Sequence, residues 1–206
     1  MAELIRIYEK NPNEKELDKV VKLLKGGAVI IFPTDTIYAL GCDINSPKAI
    51  EKVARIKGLN MDTAKLSIIC HNLSNISDYV EQFDTRIYKL LKRAFPGPYT
   101  FIMKGNKSLT KKFKKRKSAG IRVPDNNIVR ALVEKLGNPL ISTSIKDEDD
   151  IVEYTTDPEL IYEKYDRLVD IVIDGGIGKN SASTVIDLRG DEPEVLRAGA
   201  GDVDVL

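Results

Sequence analysis

Residues 26–42 read GGAVIIFPTDTIYALGC, and the rest of the chain is organised around them. Ala28, Val29, Ile30, Ile31 and Phe32 form an unbroken apolar run, mostly β-branched or aromatic. Two glycines precede it. Pro33 ends it, because proline has no N–H to give to a sheet ladder. A short apolar run without alternation predicts a strand buried on both faces. Thr34, Asp35, Thr36 and Tyr38 follow directly. Two readings are open for that cluster. In one it is a turn in which Thr and Asp bond their own backbone. In the other, hydroxyls and a carboxylate at the mouth of a buried strand hold a small polar ligand.

Outward from this strand, periodicity predicts elements of both kinds. Upstream, residues 4–8 (LIRIY) alternate as a short strand, and 13–25 place Leu17, Val20, Val21 and Leu24 at helical spacing. Downstream, Ser46-Pro47 opens a helix with Pro at its first position, and Ile50, Val53, Ala54 and Ile56 form its apolar stripe. Strands are expected at 66–70, 99–104, 119–124, 140–145, 168–174 and 183–188, with an edge strand at 194–196. Helices are expected at 75–79, 84–95, 127–136 and 158–165, and an acidic loop at 147–150. No repeat or linker interrupts the chain, so residues 1–206 read as one domain. The mixed order lacks a strict βαβ rhythm. It implies an α/β fold with a large twisted mixed sheet and helices packed on it.

Composition narrows the function classes. The net charge is only +1 although charged residues make up 31 % of the chain. Residues 1–19 contain no apolar signal region, and no apolar run is long enough to span a membrane, so a soluble cytoplasmic protein is expected. Two cysteines, Cys42 and Cys70, make no disulfide framework, and with His71 as the single histidine no protein-ligated metal is expected. No P-loop motif is present, and no G-x-G-x-x-G follows a strand. The AGAG at residues 198–201 is too short and too late to open a dinucleotide fold.

Several polar motifs flank the apolar strands: Thr34/Thr36/Tyr38, Pro98-Tyr99-Thr100, residues 118–122, Ser142/Thr143/Ser144, Ser183/Thr184 and Arg197. A curled sheet would bring them to one cleft. A site rich in Thr, Ser and Arg suits anions and hydroxyls better than nucleophilic catalysis, because a guanidinium meets carboxylate or phosphate with paired donors. Adenylyl transfer asks mainly for positioning and charge neutralisation. By themselves Arg122 and Arg197 read equally as surface residues.

PTDTIYALG, residues 33–41, closely resembles the PT(E/D)TxYGLG segment of the YrdC/YciO family, which includes the threonylcarbamoyl-adenylate synthases of tRNA modification. Further resemblances carry the likeness over most of residues 26–199. It implies an open sheet curled around a wide concave groove. The implied activity joins threonine, bicarbonate and ATP into threonylcarbamoyl-adenylate, releasing pyrophosphate, with Mg²⁺ on the leaving phosphates. On this resemblance Thr36 contacts threonine, Arg122 (in SAGIRVP) holds its carboxylate, and Ser183 and Thr184 (in STVID) add hydroxyl contacts. Lys57 (in IKG) faces the nucleotide phosphates and Ser144 (in STS) belongs to an S-x-N motif; these two are the catalytic candidates. Arg197 (in VLRAG) lies near ATP, and Thr100 matches the signature after PGP.

Two positions depart from the pattern. The K-x-R motif reads Lys57-Gly58-Leu59, and the S-x-N motif reads Ser144-Ile145-Lys146. Both departures resemble the YciO branch. Leu59 cannot neutralise a developing phosphate charge, and losing one such donor typically costs about 10²–10³ in rate. Lys146 is expected at the nucleotide as a flexible point charge, not a planar fork; Arg55 or Lys65 could also reach the gap. Lys111, Lys112, Lys114, Lys115, Arg116 and Lys117 concentrate positive charge, read either as a solvated surface or as a patch tracking phosphates of tRNA or double-stranded RNA. The alternative to a divergent synthase is a non-catalytic nucleotide and double-stranded RNA binder on the same fold.

Overall fold

A computed structural model describes residues 1–60, 66–113, 116–146 and 152–206. Its strands are β1 (Glu3–Arg6), β2 (Val29–Phe32), β3 (Ala39–Asp43), β4 (Ser67–Ile69), β5 (Tyr99–Lys104), β6 (Ser118–Arg122), β7 (Leu140–Ser144), β8 (Ile171–Asp174), β9 (Thr184–Asp187) and β10 (Glu194–Arg197). They form one 10-stranded mixed sheet in the order β1-β8-β2-β3-β7-β4-β6-β5-β9-β10. Parallel and antiparallel pairs are mixed across it: β2 runs parallel to β8 but antiparallel to β3, and β6 parallel to β4 but antiparallel to β5.

The helices are α1 (Glu14–Lys25), α2 (Pro47–Ile56), α3 (Thr85–Ala94), α4 (Lys107–Lys112), α5 (Asn127–Leu136), α6 (Glu153–Thr156) and α7 (Pro158–Tyr165). The Asn13 side chain caps α1 by accepting from the N–H groups of Lys15 and Glu16. Leu17, Val20, Val21 and Leu24 of α1 share one core with Ile128, Val129, Leu132 and Val133 of α5. That core lies against Ile30 and Phe32, while Val29 and Ile31 point into a second core containing residues of α2, α3 and α7. All four side chains of β2 are buried, which is why its sequence shows no alternation.

Three departures from the periodicity reading have physical reasons. Periodicity does not predict β3, because Ala39 and Gly41 carry no β-strand signature. Gly41 stands there because a Cβ would lie 2.5 Å from Ile141 O and 3.0 Å from the Phe32 ring. Residues 75–79 belong to a 3-10 turn over Leu73–Asp78, not an α-helix. The strand expected from residue 168 begins only at Ile171, after the Asp170 carboxylate has accepted from Val29 N–H and Lys52 Nζ. The acidic loop at 147–150, together with Lys65, Lys114 and Lys115, lies outside the described residues. Among the described residues no helix is long and apolar enough to cross a membrane.

Candidate functional site

The turn that leaves β2 supplies the first wall of the site. Thr34 Oγ1 lies 2.8 Å from Ile37 O and accepts from Thr36 N–H at 3.1 Å, so the turn is closed by its own side chain. Thr36 Oγ1 lies 3.0 Å from Thr34 Oγ1. Tyr38 faces away into the core, where its hydroxyl donates to Gly176 O and accepts from Gly175 N–H. Burial pushes the Tyr38 phenol well above its ordinary range.

Arg122, at the end of β6, reaches this turn. Its Nη2 donates to Thr36 Oγ1 at 2.9 Å and to Asp35 Oδ1 at 3.3 Å. Asp35 Oδ2 accepts from Asp125 N–H at 3.0 Å. Both partners of the ion pair are buried, at 8 % exposure for Asp35 and 9 % for Arg122. Burial drives each toward its neutral form. Asp35 is raised above the usual carboxylate range, with the attraction of Arg122 opposing. Arg122 is lowered by burial and, against the pull of Asp35, by the positive charge of Arg197. Its Nε is buried without a hydrogen-bond partner. An unpaired buried guanidinium N–H is costly, and Arg130 Nε is left without a partner in the same way.

Around these groups lies a cavity of about 240 Å³, lined by Thr36, Ile37, Arg122, Ser144, Lys146, Ala182, Ser183 and Arg197. Arg197, from β10, holds Ser183 O through Nε and Nη2 at 3.1 and 2.8 Å. Lys146 Nζ donates to Asn180 Oδ1 at 2.9 Å, and Ser144 Oγ accepts from Lys146 N–H. Among the described residues, the lining holds three cationic side chains and no carboxylate, with Ile37 and Ala182 as its apolar part.

The remaining candidates stand elsewhere. Thr100 Oγ1 lies 2.8 Å from Ser183 Oγ, behind a residue of the lining. Thr184 is fully buried and anchors the C-terminal tail: its hydroxyl donates to Gly201 O at 2.6 Å and accepts from Gly199 N–H at 3.0 Å. Lys57 Nζ donates to Ile145 O, the carbonyl between Ser144 and Lys146, and does not line the cavity.

Leu59 has a local role. Gly58 takes φ +61° after α2, Gly58 N–H donates to Arg55 O, and Leu59 N–H donates to Ala54 O at 2.8 Å. This is a Schellman ending, whose outermost residue is commonly apolar. Leu59 packs on the core accordingly.

The basic segment divides. Lys111, Lys112 and Lys117 are exposed, and Lys112 Nζ bonds Asn45 Oδ1. Arg116 turns inward instead, donating to Leu66 O and lying 5.7 Å from the centre of the Phe113 ring. Burial pulls it down to about 10. Its guanidinium is thus held against Leu66 O and the Phe113 ring, which sets it apart from the exposed lysines of the segment. None of these cations lines the cavity.

Thr34 and Asp35 stand in the sequence only as members of a polar cluster, although they hold Thr36 and Arg122 in place. Their position directly after the buried strand is the one signal the sequence offers for that role.

Comparison with known proteins gives one family. The Sua5/YciO/YrdC family model, described as "Telomere recombination", matches residues 22–199. The Escherichia coli (strain K12) protein named "Uncharacterized protein YciO" is 40 % identical over 206 residues, covering 98 % of both chains. The crystal structure of E. coli YciO aligns with a TM-score of 0.90 at 39 % identity, covering 100 % of this chain and 99 % of that one. A Vibrio campbellii threonylcarbamoyl-AMP synthase is 29 % identical over 188 residues, 90 % of this chain and 100 % of its own. The fold is shared with P. abyssi Sua5, whose crystal structure is complexed with L-threonine: TM-score 0.84, 24 % identity, 95 % of this chain and 57 % of that one. The match over residues 22–199 and the whole-length likeness to YciO show that the chain belongs to the Sua5/YciO/YrdC family.

Proposed function

We propose that the cavity binds L-threonine beside the phosphates of ATP, and that the chain is a weak threonylcarbamoyl-adenylate synthase serving tRNA modification. The observation that carries this reading is the buried Arg122 guanidinium, which lines the cavity and is fixed to Thr36 at 2.9 Å. Such a group accepts a carboxylate without further desolvation. Ile37 and Ala182 would flank the threonine methyl, and Arg197 and Lys146 would neutralise phosphate charge. The L-threonine bound to P. abyssi Sua5 and the name of the V. campbellii relative support the same substrate.

In the proposed reaction the amino group takes up bicarbonate with loss of water. An oxygen of the resulting carbamate attacks the α-phosphorus of ATP, and the bond to the departing pyrophosphate breaks. The chain's part is positioning and charge neutralisation. Among the described residues no group of three His, Cys, Asp or Glu side chains could hold a metal, and no carboxylate lines the cavity. In this reading a Mg²⁺ ion would arrive on the nucleotide and share in neutralising its phosphate charge.

One observation favours the non-catalytic nucleotide binder as a second reading. Leu59 is committed to the end of α2 and the core, so the motif position that would carry a second phosphate donor is spent on packing. Pyrophosphate release with ATP, bicarbonate and each amino acid in turn decides between the two. Release specific to threonine supports the synthase. ATP binding without release leaves the binder.

A further inference from the structure

The hydroxyls of the turn have a defined direction, which follows from counting their hydrogens. A guanidinium only donates, so Thr36 Oγ1 accepts from Arg122 Nη2. A carbonyl only accepts, so the single hydroxyl hydrogen of Thr34 goes to Ile37 O, at 2.8 Å. Thr34 Oγ1 has two lone pairs left. One takes Thr36 N–H at 3.1 Å. The other faces Thr36 Oγ1 at 3.0 Å, and the hydrogen between those two oxygens must come from Thr36. Thr34 is then saturated. Thr36 has given its hydrogen to Thr34 and one lone pair to Arg122. What it has left is one lone pair, on a residue that lines the cavity.

We infer that Thr34 is a positioning residue that fixes Thr36 as a hydrogen-bond acceptor, so that the cavity selects a small anion carrying a donor, ammonium or hydroxyl, beside its carboxylate. This rests on the reading above that an amino acid sits against Thr36 and Arg122. A carboxylate against Arg122 meets donors, while the group next to it meets the acceptor of Thr36. A simple carboxylic acid of the same size would satisfy the guanidinium and leave this last lone pair of Thr36 without a donor, forgoing one hydrogen bond. Rejection of such analogues is how a buried polar group discriminates.

The test compares L-threonine with butyrate, which keeps the carboxylate and carbon chain but lacks both donors. Affinities are measured by calorimetry on the wild type, Thr34→Val and Thr34→Ser. The wild type should prefer threonine by about tenfold or more. Thr34→Ser keeps the hydroxyl and should keep that ratio. Thr34→Val releases the Thr36 hydrogen, which can then turn toward a ligand oxygen, so the ratio should fall by about tenfold. Thr34→Ala removes the same hydroxyl without placing a methyl against Ile37 O, and serves if the valine variant does not fold. An unchanged ratio in the folded hydroxyl-less variant overturns the inference, as does a wild type that binds butyrate as well as threonine. A wild type that binds neither ligand overturns it together with the amino-acid reading. Intact ranking without pyrophosphate release removes only the synthase chemistry.

Discussion

Arg122 Nη2 donates to Thr36 Oγ1 at 2.9 Å, joining the end of β6 to the turn after β2 across 86 positions of sequence. The same nitrogen meets Asp35, so one guanidinium both anchors the turn and closes a buried ion pair. Removing it has two consequences that can be separated.

Arg122→Ala should abolish the rise in melting temperature that L-threonine produces by mass action. It should also leave Asp35 buried without a counter-charge, which costs about 3–5 kcal/mol. Arg122→Ala/Asp35→Asn should recover most of that stability and none of the threonine response. A threonine-dependent shift that persists in the double variant would remove Arg122 from the site.

Acidity distinguishes the two parts further. Burial already raises Asp35 in the native protein. A carboxyl raised on folding favours the native state below its ordinary value, and that contribution is lost as pH rises through the raised one. Loss of Arg122 takes away the opposing attraction and raises Asp35 further. Arg122→Ala should therefore melt closer to wild type near pH 5 than at pH 7. Equal deficits at both pH values would mean that Asp35 does not titrate in this range.

The pair Leu59→Arg and Lys146→Asn restores the motif residues of the synthase pattern. Together they should raise pyrophosphate release, with coupling if both reach one nucleotide. Leu59→Arg alone should lower stability by about 1 kcal/mol, because a half-buried apolar residue leaves the end of α2. A folded double variant without gain would locate the divergence beyond these two side chains.

Cys42 and Cys70 are fully buried, and burial pushes both thiols up to about 12. At about pH 8 almost no thiolate is present and access is closed. Neither should react with a thiol-directed disulfide reagent in the native protein, and both should react in denaturant. Stoichiometric labelling under native conditions would contradict this packing.

For the basic segment, RNA binding is proposed for its lysines and not for Arg116. Replacing Lys114, Lys115 and Lys117 by Ala should weaken RNA binding with little sequence dependence. The salt slope should fall by roughly 0.7–0.9 log units for each phosphate that is no longer neutralised. Arg116→Ala should lower the melting temperature and leave that slope unchanged, since the guanidinium faces Leu66 O and Phe113. Equal RNA affinities for the triple variant and wild type would leave the lysines as solvated surface.

Much of the fold was legible because its signals are local. The unbroken run at 28–32 marked β2, apolar spacing marked α1 and α5 almost to the residue, and Pro47 marked the start of α2. The PTDT segment was legible as a family signature because its residues stand together in the chain. β3 escaped, since Ala39 and Gly41 carry no strand preference, and only the pressure of Ile141 and Phe32 makes a glycine fit there. The sequence by itself determined most of the elements, the buried central strand and the family. The tertiary structure alone decided which neighbour of a pair faces the cavity. Ser183 lines it, while Thr184, one residue on, is turned under the tail. Likewise Arg116 packs inward from a run of like charges that the sequence makes uniform. The physical reason is that side chains alternate across a strand. Which side meets the cavity depends on pairing with β5 and on the returning tail, and both bring together residues far apart in the chain.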